Sequence, residues 1–579
     1  MKIRAGLSSC SLCVWLVSNP IKADRTEPEQ LILSSSSTPS LVKTDNSNLI
    51  FASFAGLLQQ WPNTFAFSGH SIITGLVPRS TVLYHSTRDP TGPPKQGLEW
   101  LAFDAEMSFA IGSYKPWEFR LYTFVADRAL RVIYLDGQSA SLGTPGFMDS
   151  QYALINGSVP EDFPDMGNYY EAEYIRAAEL CKLADKYGFE GVVRMNTGFE
   201  LLWCDFKKGI QLSSSGFWRK SPGASFWPDY LVTFIFAPHL CSLLDGINVT
   251  DPYQDKVSPP KLNDQAVNKF DIQKKPRPQS PFRSRASWRF CRSAAQHFFA
   301  PGEVRVVLDP SGFISFYDGL ESLEVKRRMD GTSAGPRSRH RLYGLSSEDA
   351  RTVQGRLAEV LERKNSEDWR VDPEQPDWRA MVLTVIQRLS PVLGELQYVL
   401  HREDLNATEQ AIEVRGLAYD IIMPSLDFSD WPDRQEPQWL SRGVRRCVDA
   451  IYTSAGQLPS ELSHSIELII GAIEGTLHRV CETVYSLFSQ TIQLSLPVKP
   501  KFSFNSTLES LARSKLPEWR EQVGGLQKWL GWATWTHCDP LCKPNEICMP
   551  PLWPYLFGKV LTNITDQFPF CSNASAAFG

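Results

Sequence analysis

The sequence lacks a strong net charge, because 64 Asp and Glu residues nearly balance 59 Lys and Arg residues and leave a formal charge of −5 at pH 7. Domains that bind nucleic acid are normally basic, so nucleic acid is excluded as an obvious partner. Long uncharged apolar runs are missing too. The most apolar internal stretches, 230–244 and 466–484, are short or interrupted by ionisable residues. We therefore predict no membrane span.

Several signatures of catalysis and metal binding are also absent. The sequence has no H-E-x-x-H zinc motif, no G-x-x-x-x-G-K-[ST] phosphate loop and no G-x-G-x-x-G dinucleotide fingerprint. Its nine His residues are spread thinly along the chain, which gives no local spacing typical of a metal centre. We predict no metal site, and the reaction, if there is one, cannot be read from motifs.

The N-terminus is typical of a secretory signal peptide. Lys2 and Arg4 precede a mostly apolar stretch, and Ala23 closes a short region after Pro20 where cleavage is acceptable. A disordered tail or an organelle transit peptide are the alternatives, because serines interrupt the apolar stretch. We predict a signal peptide over 1–23 and a secreted, extracellular protein.

Glycosylation sequons and cysteines point in the same direction. The chain has 12 Cys residues, and removal of Cys10 and Cys13 with the signal leaves an even number, as full pairing requires. N-linked glycans are added to Asn-x-Ser/Thr only in secretory proteins. Six such sequons are predicted acceptors, at Asn156, Asn248, Asn406, Asn505, Asn563 and Asn573.

The C-terminal tail concentrates four cysteines among prolines. Cys538, Cys542, Cys548 and Cys571 have the spacing C-x3-C-x5-C followed by a distant fourth residue, unlike the paired C-x2-C of zinc sites. Disulfides are therefore favoured over metal. Four cysteines allow three pairings, and the sequence does not choose among them.

The chain divides into unlike parts. Short apolar runs bounded by Gly, Pro and Asp indicate strands up to about residue 250, whereas apolar residues from 347 to 511 recur with helical period. This predicts an α+β fold, with a mixed N-terminal α+β domain followed by a C-terminal helical bundle and a Cys- and Pro-rich tail. The predicted order is a signal peptide (1–23), a disordered segment (24–50), an α+β domain (51–250), a linker or exposed loop (251–286), a hairpin-containing segment packed on the α+β domain (287–345), a helical domain (346–530) and a disulfide-stapled tail (531–579).

Two hairpins stand out in this pattern. Residues 191–206 are predicted to form two strands joined at Asn196-Thr197-Gly198, and residues 304–317 are predicted to form two strands joined at Asp309-Pro310-Ser311-Gly312. Gly, Pro and Asx residues favour tight turns at both places.

Candidate catalytic residues lie at strand ends of the N-terminal half. His85 follows one predicted strand, and Asp136 follows another and precedes a glycine, a position where α/β proteins often keep working groups. Asp104 and Glu106 would share a face on a strand and diverge on a helix. A structural role is the more common one for each of these residues.

Several blocks of the chain resemble a known family. Residues 69–72, 83–86, 99–106, 130–140 and 546–554 are similar to blocks in a family of secreted proteins of filamentous fungi that has no assigned activity. The resemblance implies a compartment and an architecture rather than a mechanism.

A second, shorter resemblance is to ADP-ribosyltransferases. A strand ending in His, a later aromatic-rich segment and a Glu on a further strand outline that family, in which His and Glu bind and orient the ribose of NAD. The resemblance implies His85 and Glu200 as NAD-binding residues, with Tyr114 or Tyr122 between them.

Three functions remain open on the sequence. The first is a secreted glycoprotein that binds or interacts without catalysis, with an unknown partner. The second is an ADP-ribosyltransferase-like enzyme, the only hypothesis that brings a cofactor, NAD. The third is a hydrolase that uses Asp104, Glu106 and Asp136.

Overall fold

The computed structural model describes residues 46–58, 69–113, 118–141, 146–161, 169–196, 198–215, 219–220, 303–330, 340–366, 376–427, 438–452, 463–498, 505–536, 538, 540–549 and 570–573. The helices are α1 (Ser47–Leu58), α2 (Ala105–Ser113), α3 (Asp149–Asn156), α4 (Tyr169–Lys186), α5 (Glu321–Met329), α6 (Ser347–Ser366), α7 (Trp378–Leu400), α8 (Ala407–Ile422), α9 (Gln438–Ile451), α10 (His464–Gln493) and α11 (Ser506–Leu530). The strands are β1 (Ser71–Val77), β2 (Val82–Thr87), β3 (Glu99–Ala102), β4 (Glu118–Ala126), β5 (Leu130–Leu135), β6 (Gly191–Asn196), β7 (Gly198–Trp203), β8 (Ile210–Ser215), β9 (Arg219–Lys220), β10 (Val307–Ser315), β11 (Glu546–Met549) and β12 (Phe570–Asn573).

One large sheet organises the N-terminal half. Its strands follow the order β10-β1-β5-β6-β7-β3-β2-β4-β8, and the short β9 pairs with β4. β5 and β6 are parallel, and the chain between them crosses over through α3 and α4, as parallel pairing requires. The predicted hairpin at 191–206 is confirmed as the antiparallel pair β6 and β7.

Each face of the sheet packs into its own core, because side chains alternate along a strand. Phe199, Leu201 and Trp203 of β7 join a core that also contains α1 and the C-terminal helices. Leu202, between them, joins a second core with α4 and α6. We call the side of the first core the inner face and the side of the second core the outer face.

The C-terminal helices form the predicted bundle. α10 buries the apolar stripe that the sequence predicts, including Ile470, Leu477 and Val484, against α8, α9 and α11. Together with the sheet, this confirms the predicted α+β class with a helical C-terminal region. We call the sheet with α2 to α6 the sheet half and α7 to α11 the helical half.

Two predicted boundaries shift. α1 begins at Ser47, inside the segment 24–50 expected to be disordered, and every residue of this helix is buried because it packs against α10 and α11. α6 falls in the predicted helical domain, 346–530, yet its buried Val353 and Leu357 join the core on the outer face of the sheet.

The predicted hairpin at 304–317 is wrong. Leu308 pairs with Gly75 and Ile314 pairs with Ile72, so both halves of the expected hairpin belong to β10 and pair with β1. The turn residues form a bulge between these pairs. There the Asp309 carboxylate accepts hydrogen bonds from the backbone N–H and the hydroxyl of Ser311, at 3.2 and 2.7 Å.

Disulfides occur in both halves and in the tail. The tail pairs are Cys538–Cys548 and Cys542–Cys571, the second of which joins the tail near the antiparallel pair β11 and β12. Cys181–Cys204 links α4 to the end of β7, and Cys447–Cys481 links α9 to α10. The predicted tail disulfides are thus confirmed and their pairing is resolved.

Several predictions fall on other parts of the chain. The signal peptide 1–23, the apolar stretch 230–244 and the linker 251–286 lie outside the described residues. Within the described helices, none combines the length and the apolar character that crossing a bilayer requires.

Candidate functional site

His85 lies on the inner face of the sheet, where β2 also places Leu83. Its ring is buried and meets Phe206 edge-on, with 5.5 Å between the ring centroids. Nδ1 donates a hydrogen bond to the Trp100 carbonyl oxygen at 2.8 Å, which leaves the lone pair on Nε2. Burial lowers the pKa of His85 to about 4, so the ring is neutral in weakly acidic solution.

Glu200 lies on the opposite face from His85. Paired residues on neighbouring strands point to the same side of a sheet, and Tyr84 pairs with Ala102, which in turn pairs with Glu200. His85 follows Tyr84 on β2 and therefore points to the other side. The expectation that His85 and Glu200 share one NAD site is wrong.

A different carboxylate shares the inner face with His85. Tyr122 of β4 pairs directly with His85, and Glu99 of β3 pairs with Trp203, an inner-face residue. The register of β2 and β3 places Glu99 diagonally across from His85, a position about 7–8 Å away in antiparallel sheets. Burial raises the pKa of Glu99 to about 7, although a hydrogen bond from the Trp100 backbone opposes this. Within the described residues, the buried Tyr122 hydroxyl has no hydrogen-bond partner.

Glu200 instead belongs to a buried ionic cluster on the outer face. Arg194 donates to Glu200, with Nη2–Oε1 at 2.6 Å, and to Glu173 of α4. Arg176 donates to Glu173 and, at 3.2 Å, to the side-chain oxygen of Gln151. Burial and the neighbouring Arg194 lower the pKa of Arg176 to about 10. Because two cations and two carboxylates compensate each other, the cluster ties β6 and β7 to α3 and α4.

Asp104 and Glu106 flank the start of a helix rather than a strand. Asp104 directly precedes α2 and Glu106 lies in its first turn. The helix dipole stabilises negatively charged carboxylates at this end of a helix. Arg305 bridges Asp104 and Glu303, with Nη2–Oδ1 at 3.2 Å and Nε–Oε1 at 2.5 Å. Burial raises the pKa of Glu303, although the hydrogen bond from Arg305 opposes the shift.

Asp136 directly follows β5, at the end of this strand, and is fully buried. Its Oδ1 accepts a hydrogen bond from the backbone N–H of Ser71 at 2.9 Å. A Cβ atom on Gly69 would lie 2.3 Å from the Asp136 carbonyl oxygen, so this close approach requires glycine. The neighbouring His70 stacks on Tyr317 with 4.6 Å between ring centroids. The polar strand ends at residues 70 and 136 therefore meet at one edge.

The predicted glycosylation sites are partly described. Asn156 ends α3, whereas Asn406 and Asn505 are the N-cap residues of α8 and α11, and all three side chains are exposed. Asn573 lies in β12. The remaining acceptors, Asn248 and Asn563, lie outside the described residues.

The tail cysteines also approach one another closely enough to suggest a metal site. The sulfur atoms of Cys538, Cys542 and Cys548 lie within 4.8 Å of one another. Each of these atoms is engaged in a disulfide, and a metal ligand is a free thiolate. The geometry therefore favours the disulfides over zinc.

Sequence reasoning misses Glu99, Glu303 and Arg194. Arg194 could have been found, because it and Glu200 are equally distant from Thr197 at the centre of a predicted hairpin. Residues at equal distance from the centre of a hairpin turn are cross-strand partners. Glu99 gives no such signal, since its relation to His85 depends on pairing between β2 and β3. A G-x-S-x-G pattern, typical of some hydrolases, is also present at 331–335, outside the described residues.

Comparison with known proteins identifies relatives without an assigned activity. The profile of a family described as the YPL277C N-terminal domain matches residues 40–120 and 115–221. The chain is 24% identical over 560 residues to the uncharacterised protein YOR389W of Saccharomyces cerevisiae, which covers 88% of this chain and 82% of the yeast protein. It is 30% identical over 204 residues to the uncharacterised protein YPL277C of the same yeast, covering 28% of this chain and 41% of that protein. No solved structure matches the chain. The chain is therefore similar to an uncharacterised protein family, with the family profile falling on its sheet half.

Proposed function

We propose that the protein is a secreted, disulfide-stabilised glycoprotein that acts by binding. The observation that carries the proposal is the presence of disulfides in the sheet half, in the helical half and in the tail. Disulfides persist in oxidising compartments and are rare in the cytosol. The three exposed sequons, at Asn156, Asn406 and Asn505, are consistent with passage through the secretory pathway.

Mass spectrometry of the protein from yeast culture medium tests secretion. We expect a mature chain that lacks residues 1–23, loses mass on enzymatic deglycosylation, and yields disulfide-linked peptides for Cys181–Cys204 and Cys447–Cys481. Recovery only from the cytosol, with free thiols and without glycan, would overturn the proposal.

The placement of the candidate catalytic residues supports binding over catalysis. His85 and Glu200 face opposite sides of the sheet. Two of the three carboxylates required by the hydrolase hypothesis are engaged, since Asp104 pairs with Arg305 and Asp136 accepts a backbone hydrogen bond. A catalytic acid or base needs to reach its substrate, and the Asp104 carboxylate and Asp136 Oδ1 already have partners within the protein.

The inner face supports one enzymatic alternative, an ADP-ribosyltransferase-like use of NAD. His85 and Tyr122, two of the residues that the resemblance names, are directly paired there, and Glu99 supplies a carboxylate on the same face in place of Glu200. A neutral imidazole, a phenol and a carboxyl group are suitable hydrogen-bond partners for ribose hydroxyls.

Isothermal titration of NAD into the secreted protein tests this alternative. Binding that is lost in His85→Ala and Glu99→Gln but retained in Glu200→Gln would support it. Glu200→Gln is the matched control, because it changes a carboxylate on the opposite face. Absence of NAD binding to the wild-type protein, or equal binding by the His85→Ala variant, would exclude it and leave the binding function.

A further inference from the structure

Three of the nine histidines contact two adjacent residues, Tyr317 and Asp318, where the sheet half joins the helical half. Tyr317 and Asp318, which follow β10, are the centre of this group. His70 stacks on the Tyr317 ring, and His340 Nδ1 lies 2.9 Å from the Tyr317 hydroxyl. His464, the first residue of α10, places Nε2 at 2.7 Å from Asp318 Oδ2. A helix of the bundle thus reaches the sheet through a titratable group.

Asp318 is held from both halves of the protein. Arg356 lies on α6, which packs on the sheet, and its Nη1 is 3.1 Å from the Asp318 carboxylate. The same nitrogen donates a hydrogen bond to the backbone carbonyl oxygen of Asp318 at 2.8 Å. The Asp318 side chain is only 8% exposed, whereas that of His464 is 51% exposed. The carboxylate is therefore fixed in place, and the imidazole exchanges protons with solvent.

The charges around His464 favour its protonated form. The hydrogen bond to Asp318 raises the pKa of His464, and Glu467 in the same helical turn adds to the effect. Partial burial and the charge of Arg356 oppose it without reversing it. A His pKa that is higher in the folded protein than in the unfolded chain contributes stability that is complete below about pH 6.5 and is lost as pH rises through the folded value.

We propose that His464, Asp318 and Arg356 form a pH-responsive latch that holds the start of α10 against the sheet half more tightly in acidic than in alkaline solution. The latch goes beyond the proposed function and does not depend on it. α10 also packs on α1 and β10, so the latch adjusts the strength of the junction and does not separate the two halves. A histidine is suited to this role because its charge changes between about pH 5 and pH 8.

Differential scanning calorimetry of the full chain tests the latch. We expect His464→Gln to lower the Tm by up to about 1 °C at about pH 5 and by clearly less at about pH 8. In an Asp318→Asn background the same substitution should have a clearly smaller pH-dependent effect, because only Glu467 remains to raise the pKa of His464. His478→Gln, an exposed histidine on the same helix, is the matched control and should leave the pH dependence unchanged.

Two outcomes would overturn the latch. An equal Tm loss for His464→Gln at both pH values would mean that His464 contributes packing alone. An unchanged pH-dependent loss in the Asp318→Asn background would mean that the carboxylate is not its partner. If Asp318→Asn does not fold, because Arg356 loses its partner, His464→Gln at the two pH values decides alone, since its half-exposed side chain tolerates replacement.

Discussion

His85 is a neutral histidine in the folded protein, because burial lowers its pKa to about 4. The unfolded chain binds this proton near pH 6.5, so the stability of the fold decreases as pH falls from about 6.5 towards 4. His85→Gln keeps an N–H donor for the Trp100 carbonyl. We expect this variant to lack the decrease of up to about 3 kcal/mol in the free energy of unfolding that the wild-type protein undergoes on acidification. Urea unfolding of both proteins near pH 7 and near pH 4.5 measures this difference. The same acid loss in the variant would contradict it.

Glu99 behaves in the opposite sense. Burial raises its pKa to about 7, so the folded protein keeps a proton that the unfolded chain releases above about pH 4.5, and stability decreases as pH rises between these values. Glu99→Gln mimics the protonated form. We expect this variant to raise the free energy of unfolding by about 1–2 kcal/mol near pH 8, less than the full pKa shift would give because the side chain is half-buried. Near pH 4 we expect it to leave the free energy of unfolding unchanged. Urea unfolding at both pH values checks this, with the exposed Glu482→Gln as a control that should be neutral throughout.

A contact in the site could be predicted from the sequence where the contacting residues lie close together along the chain. His85 is correctly expected at a strand, and the pairing of Arg194 with Glu200 follows from a local hairpin. The opposition of His85 and Glu200 does not follow from either, because β3 lies between β2 and β7 in the sheet and sets their relative faces. A one-residue change of register would have put them on the same side.

Among the elements, helix α11 allows the effect of its N-cap on stability to be distinguished from the effect of a glycan at the same residue, Asn505. The Asn505 side chain accepts hydrogen bonds from the backbone N–H groups of Thr507 and Leu508, both at 3.1 Å. We expect Asn505→Ala to destabilise the deglycosylated protein by about 1 kcal/mol, whereas Asn505→Asp keeps a good cap. Thr507→Ala removes the sequon and leaves the cap in place. Urea unfolding with glycopeptide mass spectrometry measures both effects, and a loss in Thr507→Ala as large as in Asn505→Ala would refute the cap.

Elements that depend on local signals were the ones predicted correctly. The helices of the bundle follow from apolar residues at helical spacing, and the β6–β7 hairpin follows from a short turn. The expected hairpin at 304–317 failed because its two halves pair with β1, which lies more than 200 residues earlier in the chain. Turn residues such as Pro310 and Gly312 produce a bulge as readily as a chain reversal, so the local signal alone did not decide.

On the scale of the whole molecule, the two predicted domains share one continuous core. α1 joins them, since its buried side chains pack with inner-face residues of the sheet and with the C-terminal helices. The sequence pattern changes sharply from strands to helices, which suggests separate domains. Composition does not reveal that a helix before the first strand fills the space between them.

Phe54 of α1 tests whether the halves unfold together. Its ring lies 5.2 Å from that of Phe313 in β10 and 6.4 Å from that of Trp378 in α7, measured between centroids, so it contacts both halves. We expect Phe54→Ala to cost about 3–5 kcal/mol through the cavity it leaves. Because the core is shared, calorimetry should show one transition that moves as a whole to lower temperature. Leu511→Ala, at a half-exposed position of α11, is the control and should stay within about 0.5 kcal/mol of wild type. Two transitions, of which Phe54→Ala moves only one, would show that the sheet half and the helical half are independent folding units despite their common core.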